Sequence, residues 1–600
     1  MSSRQKSGFD ESSRWVRCGL QWLTCVFVIY LFADSSVPGI NESHYLPKAK
    51  AQWDSQFAPG DLFLESHDSH VLTSLIAGLT ARALPLTAVA WLGRALSWGL
   101  LAWAWQHLCT SLRLPVVLRP LVLASWLWWV ESGHWAGEWV VGGFEAKTLA
   151  YPLVLLGLSY LVRGQWPGVW VAMGAAMAWH PVVGGWAGLC AGCVWLFQEN
   201  WRRGFRQQFL WLVAGAGLAL IGVIPALTGV SGPDVVDRVS AAQVHVYMRL
   251  SHHLSPQLFS TERHWAAAIS MALFCLITMV SYLSQCGGSA ADRSGRWRLL
   301  TVGWLAVLLA VIAWGIDWTL TQSRPDLAAR VLRFYWFRWA DIAVPLVGTL
   351  LWWKWMSVPV SHRPDQAASV ARLSDSNHQH MAKHSPPLRD SDDFGKDSMQ
   401  PKWLGPKWLR PTVMALAILA IALGATQRIP WDTARIVPAA DQLVVESVGR
   451  NPIVADRYID WLAVCQWIRE NTPQDSLWFT PKYQQTFKWY AGRAEVVCWK
   501  DVPQDNTSVI EWYHRIERCA PPRDEQGQII DWTTEQLLEL SAQYGFRYVL
   551  LDRSYQSQPP ALEIIYPVME QGQFIDNRSF AVLRIPEELV PAQAQPSPSE

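Results

Sequence analysis

Long apolar stretches separated by short polar connections dominate the first 430 residues of the chain. The first stretch, Trp15 to Ala33, is long enough to cross a bilayer, since about 20 apolar residues in a helix span the hydrocarbon core. The apolar run 71–86 is shorter and is interrupted by Arg82 and Pro85, which favours an amphipathic helix along the membrane surface. The pattern predicts about eleven spanning helices: 15–33, 88–108, 116–131, 147–162, 167–180, 181–197, 208–228, 264–284, 298–316, 335–353 and 410–426.

Basic residues between these segments predict their orientation. Residues 1–14 are polar and no small-residue cleavage site follows Phe32, so we interpret the first segment as a retained helix rather than a cleaved signal peptide. The positive-inside rule then makes its N-terminus cytoplasmic and its following loop extracytoplasmic. With this count every inside connection is basic: Arg113 and Arg119; Arg163; Arg202, Arg203 and Arg206; Arg293, Arg296 and Arg298; Lys354, Lys402, Lys407 and Arg410.

The last third of the chain changes character twice. Residues 357–409 are rich in Ser, His, Asp and Pro, which predicts a disordered cytoplasmic linker before the last span. From residue 427 to 600 charge rises, and a helix-like pattern (456–473) alternates with short strand-like ones, which indicates a compact α/β domain on the outer face. The strand-like segments are 476–481, 494–499 and 547–552.

The predicted fold class is therefore mostly α. A polytopic transmembrane helical bundle, residues 1–356, carries extracytoplasmic loops at 34–87 and 131–146, and an extracytoplasmic α/β domain follows the last span. Composition agrees, because 51% of residues are hydrophobic, only 16% are charged and 39 are Trp. A net charge of +1 offers no basic surface for nucleic acid, so that class of partner is excluded.

The positions of the ten cysteines indicate packing roles more than catalytic or metal-binding roles. Most lie in or beside apolar segments, where a free cysteine behaves as a small core residue. Cys190 and Cys193 form a C-x-x-C without a partner pair, which argues against a metal site. Cys465, Cys498 and Cys519 share the tail domain and allow one disulfide there if it is extracytoplasmic, with the pairing left open.

Candidate chemistry concentrates in the first outer loop, residues 40–70, which is acidic and aromatic between two apolar segments. Ionisable groups at a membrane edge are costly to keep and often mark function. Glu42, Asp61 and Glu65 are the candidate catalytic acids. The alternative for any one of them is ordinary solvated surface charge.

Further candidates come from the other outer segments. Carboxylates near the second loop can orient a sugar hydroxyl or hold a divalent cation, and the cations can neutralise a phosphate. Structural alternatives are a helix-start acid, an i,i+3 ion pair between residues 338 and 341, and packing histidines. The candidate substrate-binding residues are Glu138, Glu145, Lys147, His180, His252, Arg338 and Asp341.

The motifs NESHYLPKAK, GDLFLESHDSH, GEWVVGGFEAKTLAYPLVLL, HPVVGGW, WIRENTPQDSLWFTP and TFKWYAGRAEVVCWKDVPQD resemble an uncharacterised bacterial family of polytopic membrane proteins. That family looks like an offshoot of the GT-C superfamily of polyprenyl-phosphate-sugar-dependent glycosyltransferases. Members of the superfamily carry an essential acid early in the first outer loop, often as an acidic pair near a Tyr. The matching element here is Asn41-Glu42 with Tyr45, so an asparagine stands where the first acid occurs.

The resemblance implies transfer of a sugar from a polyprenyl-phosphate donor to an acceptor at the outer face of the bacterial inner membrane, with membrane lipids as surroundings and a divalent cation as a candidate cofactor. On this hypothesis Glu42 is the base, assisted by Asp61 or Glu65. Two alternatives stay open: a transporter or lipid flippase, and a non-catalytic protein that retains the fold. The short tether before the tail domain also predicts that Arg493 or Lys500 faces the site and contacts an anionic substrate group.

Overall fold

The structure is a computed structural model that describes the chain in the following blocks: 3–33, 36–198, 201–236, 238–283, 290–357, 437–442, 444, 457–567, 569–570, 573–574 and 577–589. The predicted linker beyond Ser357 and the predicted span 410–426 lie outside these residues.

Helices form most of the described chain before residue 358. Every predicted span between residues 15 and 353 coincides with a helix, and short helices fill the outer loops. Their bounds are α1 Ser3–Phe32, α2 Glu42–Ala51, α3 Leu62–Glu65, α4 Val71–Ala81, α5 Leu86–Ser111, α6 Arg119–Gly133, α7 Ala146–Arg163, α8 Trp166–Trp179, α9 Pro181–Gln198, α10 Trp201–Gly229, α11 Ala241–Gln243, α12 Ser251–Leu254, α13 Thr261–Leu283, α14 Ala290–Leu320, α15 Pro325–Leu332 and α16 Arg338–Ser357.

Four of these helices are long and apolar enough to cross a membrane, judged by length and composition over the described residues. The apolar stretches are Trp15–Phe32 of α1, Gly204–Gly229 of α10, and the helices α13 and α14. The protein is thus a membrane protein with several apolar helices, and the count of about eleven spans stays a prediction for the remaining segments.

The helices pack closely where small residues meet. Helix α8 lies between α7 and α10. A Cβ added at Gly174 would come within 2.1 Å of the Gly215 carbonyl oxygen, so the α8 and α10 backbones touch at this crossing. Helix α16 packs against α6, α13 and α14, and its Trp339 and Trp353 side chains are almost completely buried.

The first outer loop folds into α2, α3 and α4 rather than staying extended. The apolar run 71–86 gives only the short helix α4, which ends before Arg82, as its length and interruptions predict. Helix α4 packs on α2 so tightly that a Cβ at Gly78 would lie 2.3 Å from the Ala49 carbonyl oxygen. The loop is therefore a compact layer on one end of the helical bundle.

The C-terminal domain is an α/β unit, as the alternating pattern predicts. The described elements of this domain are α17 Arg457–Asn471, β3 Leu477–Phe479, α18 Phe487–Tyr490, β4 Ala494–Glu495, α19 Asn506–Arg518, α20 Thr534–Tyr544, β5 Tyr548–Asp552, β6 Glu563–Tyr566, β7 Met569–Glu570, β8 Gln573–Phe574 and β9 Phe580–Arg584; β1 Val235–Val236 and β2 Val239–Ser240 lie in the helical part, between α10 and α11. The five-stranded sheet has the order β4-β3-β5-β9-β6, in which β3 is parallel to β4 and β5, and β9 is antiparallel to both β5 and β6.

The segment after β4 docks this domain onto the outer loops. The Ser69 backbone N–H donates to the Gln504 side chain at 3.1 Å, and the Asn506 side-chain amide donates to the Val230 carbonyl oxygen at 3.1 Å. Arg333, just after α15, donates to the Asn506 side-chain oxygen at 3.1 Å. Residues 499–506 therefore lie against three outer segments of the helical bundle.

Candidate functional site

A cavity of about 150 Å³, which we call the central cavity, lies where residues 500–504 meet the outer loops. Its charged lining residues are Glu138, Glu145, Lys147, Arg249, Arg338 and Lys500. A larger opening of about 670 Å³, the vestibule, adjoins it and shares Asn41, Trp139, Arg249, His253 and Lys500 with it. The site is thus built by both the helical bundle and the C-terminal domain.

Glu145 enters the cavity because it is the N-cap of α7. Its backbone is extended, and its backbone N–H donates to the Thr148 hydroxyl at 3.3 Å at the start of the helix. A carboxylate at this position also faces the positive end of the helix dipole. One Glu145 oxygen accepts from the Asn41 side-chain amide at 2.9 Å, and the other lies 3.3 Å from the Lys147 ammonium without accepting a hydrogen bond.

Glu138, another lining residue of the cavity, lies between two cations. Its carboxylate is 3.1 Å from Lys147 and 2.7 Å from the Arg338 Nε, and the Tyr151 hydroxyl donates to it at 2.8 Å. Glu138 is only 5% exposed, so this pairing offsets the cost of burying its charge. Lys147 also lies 3.6 Å over the Trp139 ring, which fixes the ammonium between both carboxylates.

Asn41 joins the two halves of the cavity. It precedes α2 but makes no side-chain bond to that helix, so its amide is available for distant partners. Its nitrogen donates to Glu145, and its oxygen accepts from the Lys500 ammonium at 2.9 Å. Asn41 is therefore a neutral bridge between bundle and domain.

The net charge of the central cavity is positive. Four cationic side chains face two carboxylates among its lining residues. Burial, followed by the nearby Arg249 charge, lowers the pKa of Lys500 to about 8. Burial also lowers the pKa of His245 to about 3, and that of His253 well below its usual value, so these imidazoles are neutral at pH 7. The excess charge suits an anionic ligand.

The donor set does not suit a divalent cation. Glu138 and Glu145 are already engaged by Lys147, Arg338 and Asn41, and additional cations line the same cavity. Among the described residues, one acid and thiol group has metal-like spacing, Glu495 with Cys498 and Asp501. The Lys488 ammonium lies 2.5 Å from Glu495 and 2.6 Å from Asp501, so a lysine already supplies the positive charge there.

This Lys488 cluster forms a second buried charge network beside the central cavity, which His44 also lines. Lys488 also lies 3.3 Å from Asp61 of the first loop, and His44 of α2 lies 2.6 Å from Asp501. Burial raises the pKa of Glu495 to about 7, although the positive charge of Lys488 lowers this pKa. Burial also opposes ionisation of Asp501, but Lys488 and the His44 hydrogen bond lower its pKa to about 2. The network ties the C-terminal domain to the first loop.

The structure keeps the three predicted catalytic acids out of the central cavity. Glu42 is fully buried against Arg94 and also accepts from the Gly39 and Phe144 backbone N–H groups at 2.8 and 2.6 Å. With every acceptor site used, its geometry is that of a structural ion pair. Asp61 caps α3 and contacts Lys488, and Glu65 is exposed and accepts from Gly60.

Two further candidates also have structural positions. Asp341 accepts from the backbone N–H groups of Trp135, Ala136 and Glu138, so it holds the second outer loop in place rather than facing the cavity. Arg493 points away from the site, because its guanidinium donates to the Arg469 and Thr472 carbonyl oxygens at 2.8 Å, at the end of α17. Lys500, the other half of that prediction, does line the cavity.

The remaining candidates lie around the two openings. Glu138, Glu145, Lys147, His180 and Arg338 all line the central cavity, and His252 lines the vestibule. His180 follows α8 and its ring lies 3.3 Å from an Arg338 nitrogen. The cysteines 465, 498 and 519 are free thiols.

Sequence reasoning missed two cations. Arg249 lines both openings and donates to the Trp499 carbonyl oxygen at 2.8 Å. Arg94 lies within the apolar helix α5, and an arginine in such a segment is a signal in itself, because it requires a buried partner. That partner is Glu42, the acid first chosen as the base.

A short segment of the C-terminal domain matches a known family model. A family model described as a domain of unknown function (DUF6798) matches residues 459–519, about a tenth of the chain. No curated protein matches. Among solved structures, the chain is similar to the archaeal oligosaccharyltransferase AglB from Archaeoglobus fulgidus, solved in complex with an inhibitory peptide and a dolichol-phosphate. The identity is 11%, the match covers 91% of this chain and 70% of that chain, and the TM-score is 0.37, too low to support an argument about function.

Proposed function

We propose that this protein is a membrane glycosyltransferase of the GT-C type. It binds a polyprenyl-phosphate-linked sugar with the phosphate in the central cavity and transfers the sugar to an acceptor at the membrane face covered by the C-terminal domain. The observation that carries the proposal is the convergence of Lys147, Arg249, Arg338 and Lys500 on one cavity, whose lining among the described residues includes two carboxylates. Such an arrangement favours a ligand that brings negative charge.

The vestibule offers room for the sugar and the acceptor. Its volume of about 670 Å³ is within the usual range for small-ligand sites. Aromatic rings of Trp139, Tyr483 and Trp499 line it together with the amide side chains of Asn41 and Gln485. Apolar rings with a few polar groups are suited to a sugar, which presents both C–H faces and hydroxyls.

In this mechanism Glu145, rather than Glu42, is the base. Its Oε1 atom is ion-paired with Lys147 at 3.3 Å and accepts no other contact in the described structure, so it is the carboxylate oxygen left to receive the proton of an acceptor hydroxyl. The acceptor oxygen forms its bond to the anomeric carbon as the bond from that carbon to the phosphate oxygen breaks. The electron pair leaves with the polyprenyl phosphate, whose charge Arg338 and Lys500 neutralise.

The proposal includes the membrane arrangement. The chain crosses the bacterial inner membrane about eleven times, through the ten helices that coincide with predicted spans and through the segment 410–426. The C-terminal domain is extracytoplasmic. The docking of residues 499–506 onto the outer loops supports this arrangement, since loops and domain must then lie on one side of the membrane.

The experiment is transfer from labelled lipid-linked sugars by the purified protein in nanodiscs, comparing Glu145→Gln with the parent. Loss of a general base lowers the rate by about 10²- to 10⁴-fold. Glu563→Gln is the matched control, because this exposed acid of the C-terminal domain pairs with Arg584 and is not among the lining residues of the cavity. Equal transfer by the parent and Glu145→Gln would remove Glu145 from the mechanism.

A specific observation favours a second candidate, a non-catalytic protein that binds the lipid phosphate without transfer. Asn41 donates to Glu145 and Lys147 pairs with it, so its basicity is partly masked. Binding of the labelled donor by the parent protein, with no covalent product from any acceptor fraction of the native membrane, would favour this candidate.

A further inference from the structure

The positive charge of the site continues from the central cavity into the vestibule. Arg249 and Lys500 line both openings, so they lie at the boundary between the two. Arg263 of α13 lines the vestibule and is not among the lining residues of the central cavity. No acidic side chain belongs to the vestibule lining that the structure describes. Cationic groups therefore extend beyond the place where the proposed function puts the lipid phosphate.

The two boundary cations donate their hydrogen bonds to neutral oxygens. Arg249 donates to the Trp499 and Lys500 carbonyl oxygens at 2.8 and 3.4 Å. Lys500 donates to the Asn41 amide oxygen at 2.9 Å. Carboxylates of the described chain act on both cations only from beyond ion-pair distance. Their charges are thus available to a substrate in the adjoining space.

Arg263 presents one complete edge of its guanidinium to further acceptors. Its Nη1 atom donates to the His252 carbonyl oxygen, while its Nε and Nη2 atoms donate no hydrogen bond within the described residues. These two adjacent N–H groups form the planar fork that a carboxylate accepts with both of its oxygens. A single hydroxyl group matches such a fork less well, because it offers one oxygen.

The His252 imidazole reflects the same concentration of positive charge. Burial, followed by the charges of Arg249, Arg263 and Lys500, lowers the pKa of His252 to about 4. All three cations therefore act on one point of the vestibule wall. The imidazole itself is neutral at pH 7, so it offers an N–H donor there without adding to the charge.

Aromatic rings lie beside these cations. The Arg249 guanidinium lies 5.5 Å from the centre of the Trp499 ring, and the rings of Trp139 and Tyr483 line the same opening. A second phosphate group would use only the cations. A sugar that carries a carboxylate would use the rings for its C–H faces and the cations for its charge.

We propose that the vestibule selects an acidic sugar, whose carboxylate is bound by Arg263 and Arg249 while its ring packs on the aromatic side chains. This inference rests on the proposed function, because the sugar reaches the vestibule attached to a phosphate in the central cavity. Arg249 lines both openings and therefore places positive charge next to the first sugar of the donor. The transferred sugar is thus of the uronic acid class.

The test measures the affinity of the purified protein in nanodiscs for four lipids. They are polyprenyl phosphate alone, polyprenyl phosphate carrying glucose, polyprenyl phosphate carrying glucuronic acid, and polyprenyl diphosphate carrying glucose. The two sugar monophosphates differ only in the carboxylate, and the diphosphate moves the added charge from the sugar to a second phosphate. The site variant is Arg263→Gln. Arg324→Gln is the matched control, because this exposed arginine between α14 and α15 lines neither opening.

We expect the parent and Arg324→Gln to bind the glucuronic acid lipid at least about tenfold more tightly than the glucose monophosphate lipid. Arg263→Gln should lose most of this preference and keep its affinity for the glucose lipid, a pattern that a purely structural role of Arg263 would not produce. Arg263→Lys covers the case in which Arg263→Gln does not fold. It keeps the charge without the planar fork, so it should reduce the preference without abolishing it.

Three results would overturn the inference and leave the proposed function standing. They are equal affinity of the parent for the two sugar monophosphates, an equal gain with the diphosphate, and a preference that both Arg263 variants retain in full. Failure of the proposed function looks different, because the parent would then bind none of the four lipids, polyprenyl phosphate alone included.

Discussion

The Glu42 carboxylate and the Arg94 guanidinium form an ion pair at 2.7 Å with both side chains completely buried. Two backbone N–H groups complete the carboxylate's contacts. The acid that the loop pattern singles out as a catalyst is thus held as part of the joint between the first loop and α5.

Removing one partner of this pair should destabilise the protein more than it affects the chemistry. We expect Glu42→Gln and Arg94→Leu each to lower the free energy of unfolding by about 3–5 kcal/mol, because each leaves a buried charge without its partner. The double variant should be more stable than either single one. Unfolding followed by intrinsic Trp fluorescence in detergent measures this, and an unchanged midpoint with lost transfer would return Glu42 to the catalytic role.

The Lys488 cluster should govern docking of the C-terminal domain. Lys488→Met leaves Asp61, Glu495 and Asp501 buried without their cation, at a cost of about 3–5 kcal/mol. Lys482→Met is the control, because this half-buried lysine of the same domain donates to the Ile516 carbonyl oxygen rather than to a carboxylate. Limited proteolysis should release the domain from Lys488→Met first, and equal resistance of both variants would contradict this role.

The loss in Lys488→Met should depend on pH. Burial raises the pKa of Glu495 from its ordinary 4.5 to about 7, so the folded state holds this proton more tightly than the unfolded chain. That contribution is fully present below pH 4.5 and is lost as pH rises through 7. Without Lys488 the pKa rises further, so the variant should be closer to the parent at pH 5 than at pH 8. A pH-independent difference would argue that the lysine acts by packing.

Some of the site could be predicted from sequence because it is local. The run Glu145-Ala146-Lys147 places a capping acid and a cation at the start of α7. Arg338 is the first residue of α16, and this end of α16 lies at the same central cavity. The compact domain and most helices follow from apolar periodicity in the same way.

The rest depends on contacts between distant segments. Glu42 pairs with Arg94, which lies 52 positions away in the sequence, and Lys488 pairs with Asp61, more than 400 positions away. At such separations the spacing of residues in the sequence does not indicate which of them are in contact. Arg493 and Lys500 are equally basic in sequence. Only the fold shows that one caps the carbonyl end of α17 while the other reaches Asn41.

Orientation of the chain is open to a direct labelling experiment. A cysteine introduced at Gln526, an exposed position of the C-terminal domain, should react with a membrane-impermeant thiol reagent in intact cells. A cysteine at Ser376, in the predicted cytoplasmic linker, should react only after permeabilisation. Labelling is compared with the parent chain, since Cys18 is exposed, and the reverse pattern would overturn the orientation and the outer-face site with it.

Lys500 should make phosphate binding sensitive to alkaline pH. Its pKa of about 8 means that the ammonium loses its charge between pH 7 and 9. A phosphate monoester has its second pKa near 6 and changes little over this interval. Affinity for a polyprenyl phosphate should therefore fall up to about tenfold from pH 7 to 9 in the parent, while Lys500→Arg, which stays charged, keeps its affinity. A parallel fall in both proteins would assign the pH dependence to another group.

The most direct measurement of the central claim is the affinity of the purified protein in nanodiscs for polyprenyl phosphate. The parent is compared with Arg338→Gln and Lys500→Gln, and with Arg584→Gln, whose exposed guanidinium pairs with Glu563 on the C-terminal domain. The account predicts saturable binding of polyprenyl phosphate by the parent. Each cavity variant should weaken this binding at least about tenfold, because a charge-assisted contact contributes roughly 1.5–3 kcal/mol. Arg584→Gln should leave the affinity unchanged. Binding of equal strength in all four proteins, or no saturable binding by the parent, would contradict a lipid-phosphate site in the central cavity.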